Sequence, residues 1–197
     1  MKTRREDDME LIELLKSRRT IRRFRQRRVS DDELRKIFDC VRFASCAANM
    51  QRLRYMAVRS PELVRALFDT TGWGAMVRPN RTPEWGRTAP LCFVAVTGPA
   101  DAALALEADA GAAIQTLEYA AWSLGIGCCW IGSFDRERCR ALLKLPQDRR
   151  ILYLVAVGYP AESPVAEDAS GSVRYYLDDA DVLHVPKLPA DGLVSWM

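Results

Sequence analysis

The chain has 197 residues, 49% of them hydrophobic and 28% charged. That balance excludes wholesale disorder and predicts one substantial core in a single domain over residues 1–197. Net charge is only +3, from 29 basic and 26 acidic residues, so nucleic-acid binding would have to rest on a local patch. No apolar run reaches membrane-span length and the N-terminus carries no apolar leader, which predicts a cytoplasmic protein without a membrane partner.

In chain order, Met9, Leu11, Ile12, Leu14 and Leu15 recur at helical spacing behind Asp7 and Asp8, acids suited to a helix start. Where that helix should end, Lys16 to Arg28 holds eight basic residues in thirteen and no acid. Ile21 and Phe24 sit between the charges and can anchor the stretch to a core, which a solvated tail would not need. Guanidinium groups on such a turn bind phosphate by paired, charge-assisted hydrogen bonds, and Thr20 adds a hydroxyl donor. The alternative is a solvated basic face, to which Arg25, Arg27 and Arg28 are assigned.

Ser30-Asp31-Asp32-Glu33 fits a capping box, and Leu34, Ile37, Phe38 and Val41 continue it as a helix from Asp31 to Phe43. That helix delivers the chain into the small-polar run ASCAANMQ, Ala44 to Gln51. Leu53 to Arg59 reads as a strand, and Pro61 opens a helix through Phe68. Thr70 to Thr88 reads as a long loop. Its Trp73, Arg78, Arg81, Trp85 and Arg87 form either a lid that attracts acidic groups or a plain surface loop with two packed tryptophans.

PLCFVAVT, Pro90 to Thr97, is a buried strand by its unbroken apolar character. Leu104 to Leu124 is a helix apolar around most of its circumference, which calls for burial in the core or against a second subunit. GCCWIG, Gly127 to Gly132, is a short strand or turn, Asp135 caps a helix to Leu143, and Ile151 to Val157 is a strong strand. The remainder reads as irregular, with an extended segment from Val182 to Val185 that holds His184.

Six cysteines without a leader read as reduced thiols, with Cys128 and Cys129 in the core. The single histidine, His184, has no cysteine near it, so no metal site is assigned. It is also poorly placed to serve a nucleophile, and no catalytic side chain is assigned.

Four segments resemble, in order and spacing, the FMN-dependent nitroreductase family: SRRTIRRF from Ser17, ASCAANMQ, the helix-to-glycine run GAAIQTLEYAAWSLGIGCCWIGSF, and the strand ending VAVGYPAE. The resemblance implies an α+β, nitroreductase-like three-layer sandwich with a mainly antiparallel central sheet flanked by helices. It further implies an intertwined homodimer, the segment from about residue 165 extended and exchanged between subunits. FMN would be the cofactor and NAD(P)H the electron donor, with hydride passed to a small electron-poor acceptor such as a nitroaromatic or quinone.

Carried over by residue, Arg18 and Thr20 would hold the FMN phosphate, with Arg19 and Arg22 nearer the ribityl chain and pyrimidine edge. Asn49, preceded by Ser45, Cys46 and Ala47 and followed by Gln51, would approach from the other subunit. Ile131 and Gly132, with Trp130 behind them, would meet flavin N5, and Arg174 would complete the phosphate site. Ser45 and Cys46 stand where the family has proline and serine, and Arg52-Leu53 where it commonly has Pro-Trp. Two alternatives remain: a relative that stores FMN or runs other flavin chemistry, and a nucleic-acid binder using Arg18 to Arg28.

Overall fold

The computed structural model describes residues 11–77, 81–101 and 106–197. Asp7, Asp8 and Met9 of the first expected helix, Arg78 of the loop and Leu104 lie outside them. Strands β1 (Arg54–Val58), β2 (Cys92–Pro99), β3 (Gly127–Ile131) and β4 (Arg149–Gly158) form one sheet in the order β1-β2-β4-β3, antiparallel at every pairing. Helices α2 (Asp31–Val41) and α4 (Leu106–Ser123) cover one face, and α3 (Pro61–Phe68) and α5 (Arg136–Leu142) the other.

The residues of β2 show why its run has no polar alternation. Cys92, Val94 and Val96 pack with Ile37, Ile114 and Leu117, while Phe93 and Ala95 pack with Val64, Leu67 and Cys139. Both faces are covered, so every position is apolar. In β4 a bulge opens the ladder: Tyr153 opposes Val96 and Ile151 opposes Thr97, leaving Leu152 as the extra residue.

Helix α1 (Leu11–Ser17) forms as its spacing implies but buries none of its residues. Leu11 and Ile12 stay more than half exposed. The capping box of α2 is present, Ser30 accepting from the Glu33 amide. Glu33 also accepts from the Tyr159 hydroxyl at 2.7 Å, and that bond, with those from Ser30, pulls its carboxyl down to about 2.

The arginine-rich segment lies along the free edge of β3. Thr20 bridges Cys128 in parallel register, the Ile21 amide donates to the Cys128 carbonyl at 2.8 Å, and the Arg25 amide donates to Tyr159 at 2.8 Å. Ile21 and Phe24 are both 0% exposed. Two glycines make room for them. A Cβ on Gly127 would stand 2.5 Å from Ile21 Cγ1, and one on Gly158 would stand 2.9 Å from Phe24 Cδ1.

Beyond β4 the chain is more ordered than expected. Strands β5 (Val165–Asp168), β6 (Tyr176–Leu177) and β7 (Leu183–Lys187) make a second sheet in the order β5-β7-β6, with β5 and β7 parallel. Strands of two to five residues are too short to print a period in the sequence. His184 lies in β7, 2.8 Å from Glu167 and 3.2 Å from Asp178, with its ring stacked on Tyr176. The two carboxylates raise the His184 pKa, and the imidazole contributes to lowering both of theirs.

Two outcomes are expected. Gly127→Ala should destabilise the fold by about 1–3 kcal/mol through overpacking against Ile21, read from urea denaturation midpoints. Protonated His184 should stabilise the second sheet below its ordinary pKa, with that contribution lost as pH rises through the raised value. The carboxylates' contribution is present above their ordinary pKa values and lost as pH falls through the lowered ones. Ring and amide NMR titration should therefore find the sheet tightest between those limits, and an unshifted His184 titration would contradict this.

Candidate functional site

Arg18, Arg19, Thr20 and Arg22 leave the end of α1 and share the wall of a cavity of about 620 Å³ with Lys16, Tyr175 and Lys187. Each arginine is held differently. Arg18 Nη1 lies 3.4 Å from Glu118 Oε2, a carboxylate 5% exposed on α4. Burial raises the Glu118 pKa against the opposing pull of Arg18. The Nε of Arg18 is buried without a hydrogen-bond partner, a donor left over at the cavity wall.

Arg19 folds back on the helix end, donating to the carbonyls of Lys16 at 2.6 Å and Arg18 at 2.7 Å. Burial, then the neighbouring Arg18, lowers its pKa. Arg22 has its guanidinium 5.6 Å from the centre of the Tyr175 ring.

Arg22 also belongs to a second cavity of about 400 Å³, formed with the loop residues Gly72 to Ala75 and with Cys129, Trp130, Ile131, Gly132 and Ser133. The sequence-expected Arg22 and Trp130-Ile131-Gly132 are thus brought together. The Trp130 ring, however, turns toward α4. It meets Tyr153 edge-on at 5.1 Å, and a Cβ on Gly111 would lie 3.7 Å from its Cη2. Cys129 is buried, and that burial pushes its thiol up to about 12, so it stays protonated.

A buried carboxylate fixes the arginine segment. Glu162, whose side chain is 6% exposed, accepts from the Arg22 amide and, at 3.0 Å, from the Arg23 amide through Oε1. Its Oε2 takes Arg81 Nη2 at 2.9 Å. Arg81 is 2% exposed and pairs in addition with Asp181, which also holds Arg23. Arg81 therefore offers nothing to an acidic ligand, which corrects the lid reading for that residue.

The two tryptophans of the loop pack. Trp73 is buried and donates to Thr71 at 2.7 Å, while Trp85 meets the Phe68 ring at 5.4 Å. Arg87 pairs with Glu84.

Arg174 points its guanidinium at the Met76 carbonyl, 3.2 Å away, while the hydroxyl of the neighbouring Tyr175 accepts from the Met76 amide and its side chain supplies part of the cavity wall. Ser45, Cys46 and Gln51 line a third, smaller cleft with Tyr55 and Asp109. That cleft and the arginine cavity share no lining residue. ASCAANMQ does not end as an ordinary helix C-terminus. Ala47–Asn49 form a single 3-10 turn in which Ala48 and Asn49 have φ of 47° and 53°, and Gln51 follows at 48°. For residues other than glycine each such value costs on the order of 1–3 kcal/mol.

Sequence reasoning missed Glu162, Asp181, Asp109 and Glu118, and named Arg81 only as a loop arginine, not as the buried partner of Glu162. For the two acids of α4 a signal existed: both fall on the helix's apolar stripe, among Ala110, Ala113, Ile114 and Leu117. Glu162→Ala, which leaves two amides and a buried guanidinium short of an acceptor, should cost about 3–5 kcal/mol in chemical denaturation. Arg23→Ala, at a more exposed pair, should cost under about 1 kcal/mol, and equal losses would contradict this ranking.

The nitroreductase family model matches residues 15–159 of the chain. A putative NADH dehydrogenase/NAD(P)H nitroreductase of Methanothermobacter thermautotrophicus is 29% identical over 179 residues, covering 86% of this chain and 87% of that protein. Among solved structures, a nitroreductase family protein of Clostridium difficile 630 has a TM-score of 0.70 at 19% identity, over 95% of this chain and 98% of that one. The NADPH:FMN oxidoreductase from Vibrio harveyi complexed with NAD+ has a TM-score of 0.68 at 20% identity, over 94% and 76%. The two solved structures share the fold, and with the family model matching most of its length the chain belongs to the nitroreductase family.

Proposed function

We propose that the chain binds FMN in the arginine cavity and acts as an NAD(P)H oxidoreductase, passing hydride to a small electron-poor acceptor such as a nitroaromatic or quinone. The observation that carries this reading is the double role of Arg22. It joins a basic cavity suited to a phosphate to a second cavity bounded by Trp130, Ile131 and Gly132. The first cavity falls within the usual range for cofactor sites. The unpartnered Arg18 Nε, the Thr20 hydroxyl and a wall on which Lys16, Arg18, Arg19, Arg22 and Lys187 outweigh Glu167 and Asp168 fit a phosphate dianion.

FMN, when bound, supplies the two-electron chemistry, and the protein supplies binding and electrostatics. Arg18 and Thr20 would hold the phosphate, with Arg19 nearer the ribityl chain. Arg174, which bonds the Met76 carbonyl and does not line this cavity within one chain, would have to turn to complete the phosphate site. Arg22 places positive charge where the reduced cofactor gathers negative charge. Ile131 and Trp73, both buried, back the second cavity.

The wall opposite these residues is assigned to a second copy of the chain. Ser45, Cys46, Ala47, Asn49 and Gln51 lie away from the arginine cavity within one chain, so in this reading they reach the partner's FMN. The C-terminal stretch is apolar and open, with Trp196 87% and Leu193 68% exposed, which suits exchange of the segment from about 165 across a homodimer. The chain is read as one domain. Among the described residues no helix is long and apolar enough to cross a membrane, and a cytoplasmic location is proposed.

The purified protein should show a flavin absorbance band, or acquire one when FMN is added, and the band should bleach with NADH or NADPH. A protein that takes up no flavin refutes the proposal. Arg22→Ala should weaken FMN about tenfold to a hundredfold, as loss of charge-assisted contacts does, measured by quenching of flavin fluorescence. Sedimentation equilibrium should give twice the chain mass, and a monomer that binds FMN with full affinity would contradict the shared site.

A further inference from the structure

Asp109 lies in the first turn of α4 and is 4% exposed. Its two oxygens face the same stretch of chain. Oδ1 accepts from the Ala47 amide at 2.8 Å, and Oδ2 lies 3.3 Å from Arg52 Nη2. Between those two points Ala48, Asn49 and Gln51 all adopt left-handed backbone angles without a glycine among them. The hydrogen bonds of these three residues are local, from Gln51 Nε2 to Asn49 Oδ1 at 3.2 Å, from the Asn49 amide to the Cys46 carbonyl at 3.2 Å and from Arg54 Nη1 to the Gln51 carbonyl at 2.8 Å. A short segment in that conformation persists only if its surroundings over-determine it, and the buried carboxylate grips it at both ends.

We infer that Asp109 is a positioning residue for the cofactor site: it clamps residues 47–52 in a strained shape that presents Ala47 to Gln51 to the flavin. The inference rests on the FMN reading above for its functional half. Its structural half, that one carboxylate holds the strained turn, stands without any cofactor. A helix carboxylate gives the turn a rigid support, and small errors in such supports are felt at the reacting centre.

The test uses full-length protein stripped of flavin. In the wild type the Ala47 amide should exchange with solvent more slowly than its neighbours in 45–51, and uniform exchange there overturns the clamp even if no variant folds. Asp109→Ala should speed exchange at 47–51 and weaken FMN by about tenfold or more. Asp109→Asn keeps an acceptor for the Ala47 amide but sets an amide donor against Arg52, so it should weaken FMN less than Asp109→Ala and leave the Ala47 amide protected. Adding Ala48→Gly to Asp109→Ala should recover part of the affinity, because glycine adopts the left-handed angle freely.

Denaturation midpoints of the same variants separate this from a plain loss of stability, which would lower the midpoint while the 47–51 amides kept their protection. Wild-type affinity and Ala47 protection in Asp109→Ala overturn the inference, as does weaker binding with the 47–51 amides still protected. A wild type that binds no FMN refutes the cofactor reading instead, and the exchange measurement still decides whether the clamp exists.

Discussion

The Glu162 carboxylate is the contact on which the arrangement of the site depends. Two consecutive amides of the arginine segment, the buried Arg81 of the long loop and, through Arg81, Asp181 before β7 all converge on it. Four stretches distant in sequence are joined through one buried negative charge. Such a charge is tolerated in a core only when its oxygens are fully matched, and here both of them are. The same match fixes the backbone of Arg22, the residue shared by the two cavities.

Around that junction the edge of the sheet does a second job. An exposed edge strand invites unwanted pairing, and β3 has Thr20 and Ile21 laid against it. Covering the edge thereby places a row of guanidinium groups at the sheet's rim. The absence of side chains at Gly127 and Gly158 lets Ile21 and Phe24 sink into the core, so the surrounding charges stay at the surface while their backbone is rigid.

Much of the sheet and its helices was legible in the sequence, because the responsible signals are local. The capping box of α2, proline at the first position of α3 and the apolar runs of β2 and β4 each declare themselves within a few residues. The arginine cavity was legible too, since Ile21 and Phe24 mark the segment as anchored. What escaped depends on distant partners. Nothing near Arg81 distinguishes it from Arg87, yet one is buried against Glu162 and the other pairs on the surface with Glu84. Of the second sheet only β7 was legible, as the extended segment from Val182 to Val185; β5 and β6 escaped because they are stabilised by pairing rather than by any pattern of their own.

The bulge in β4 carries a consequence for how the chain can vary in length. Side chains alternate along a strand, so removing a residue between Tyr153 and Gly158 would turn part of it inside out. Leu152 is different, because it is the surplus residue between two ladder partners already in place. Its removal would close the ladder and leave Ile151 and Tyr153 on their present faces, at the expense of one buried leucine. Leu152 is thus the position in this central strand where the chain could have gained or lost a residue while the fold around the site kept its register.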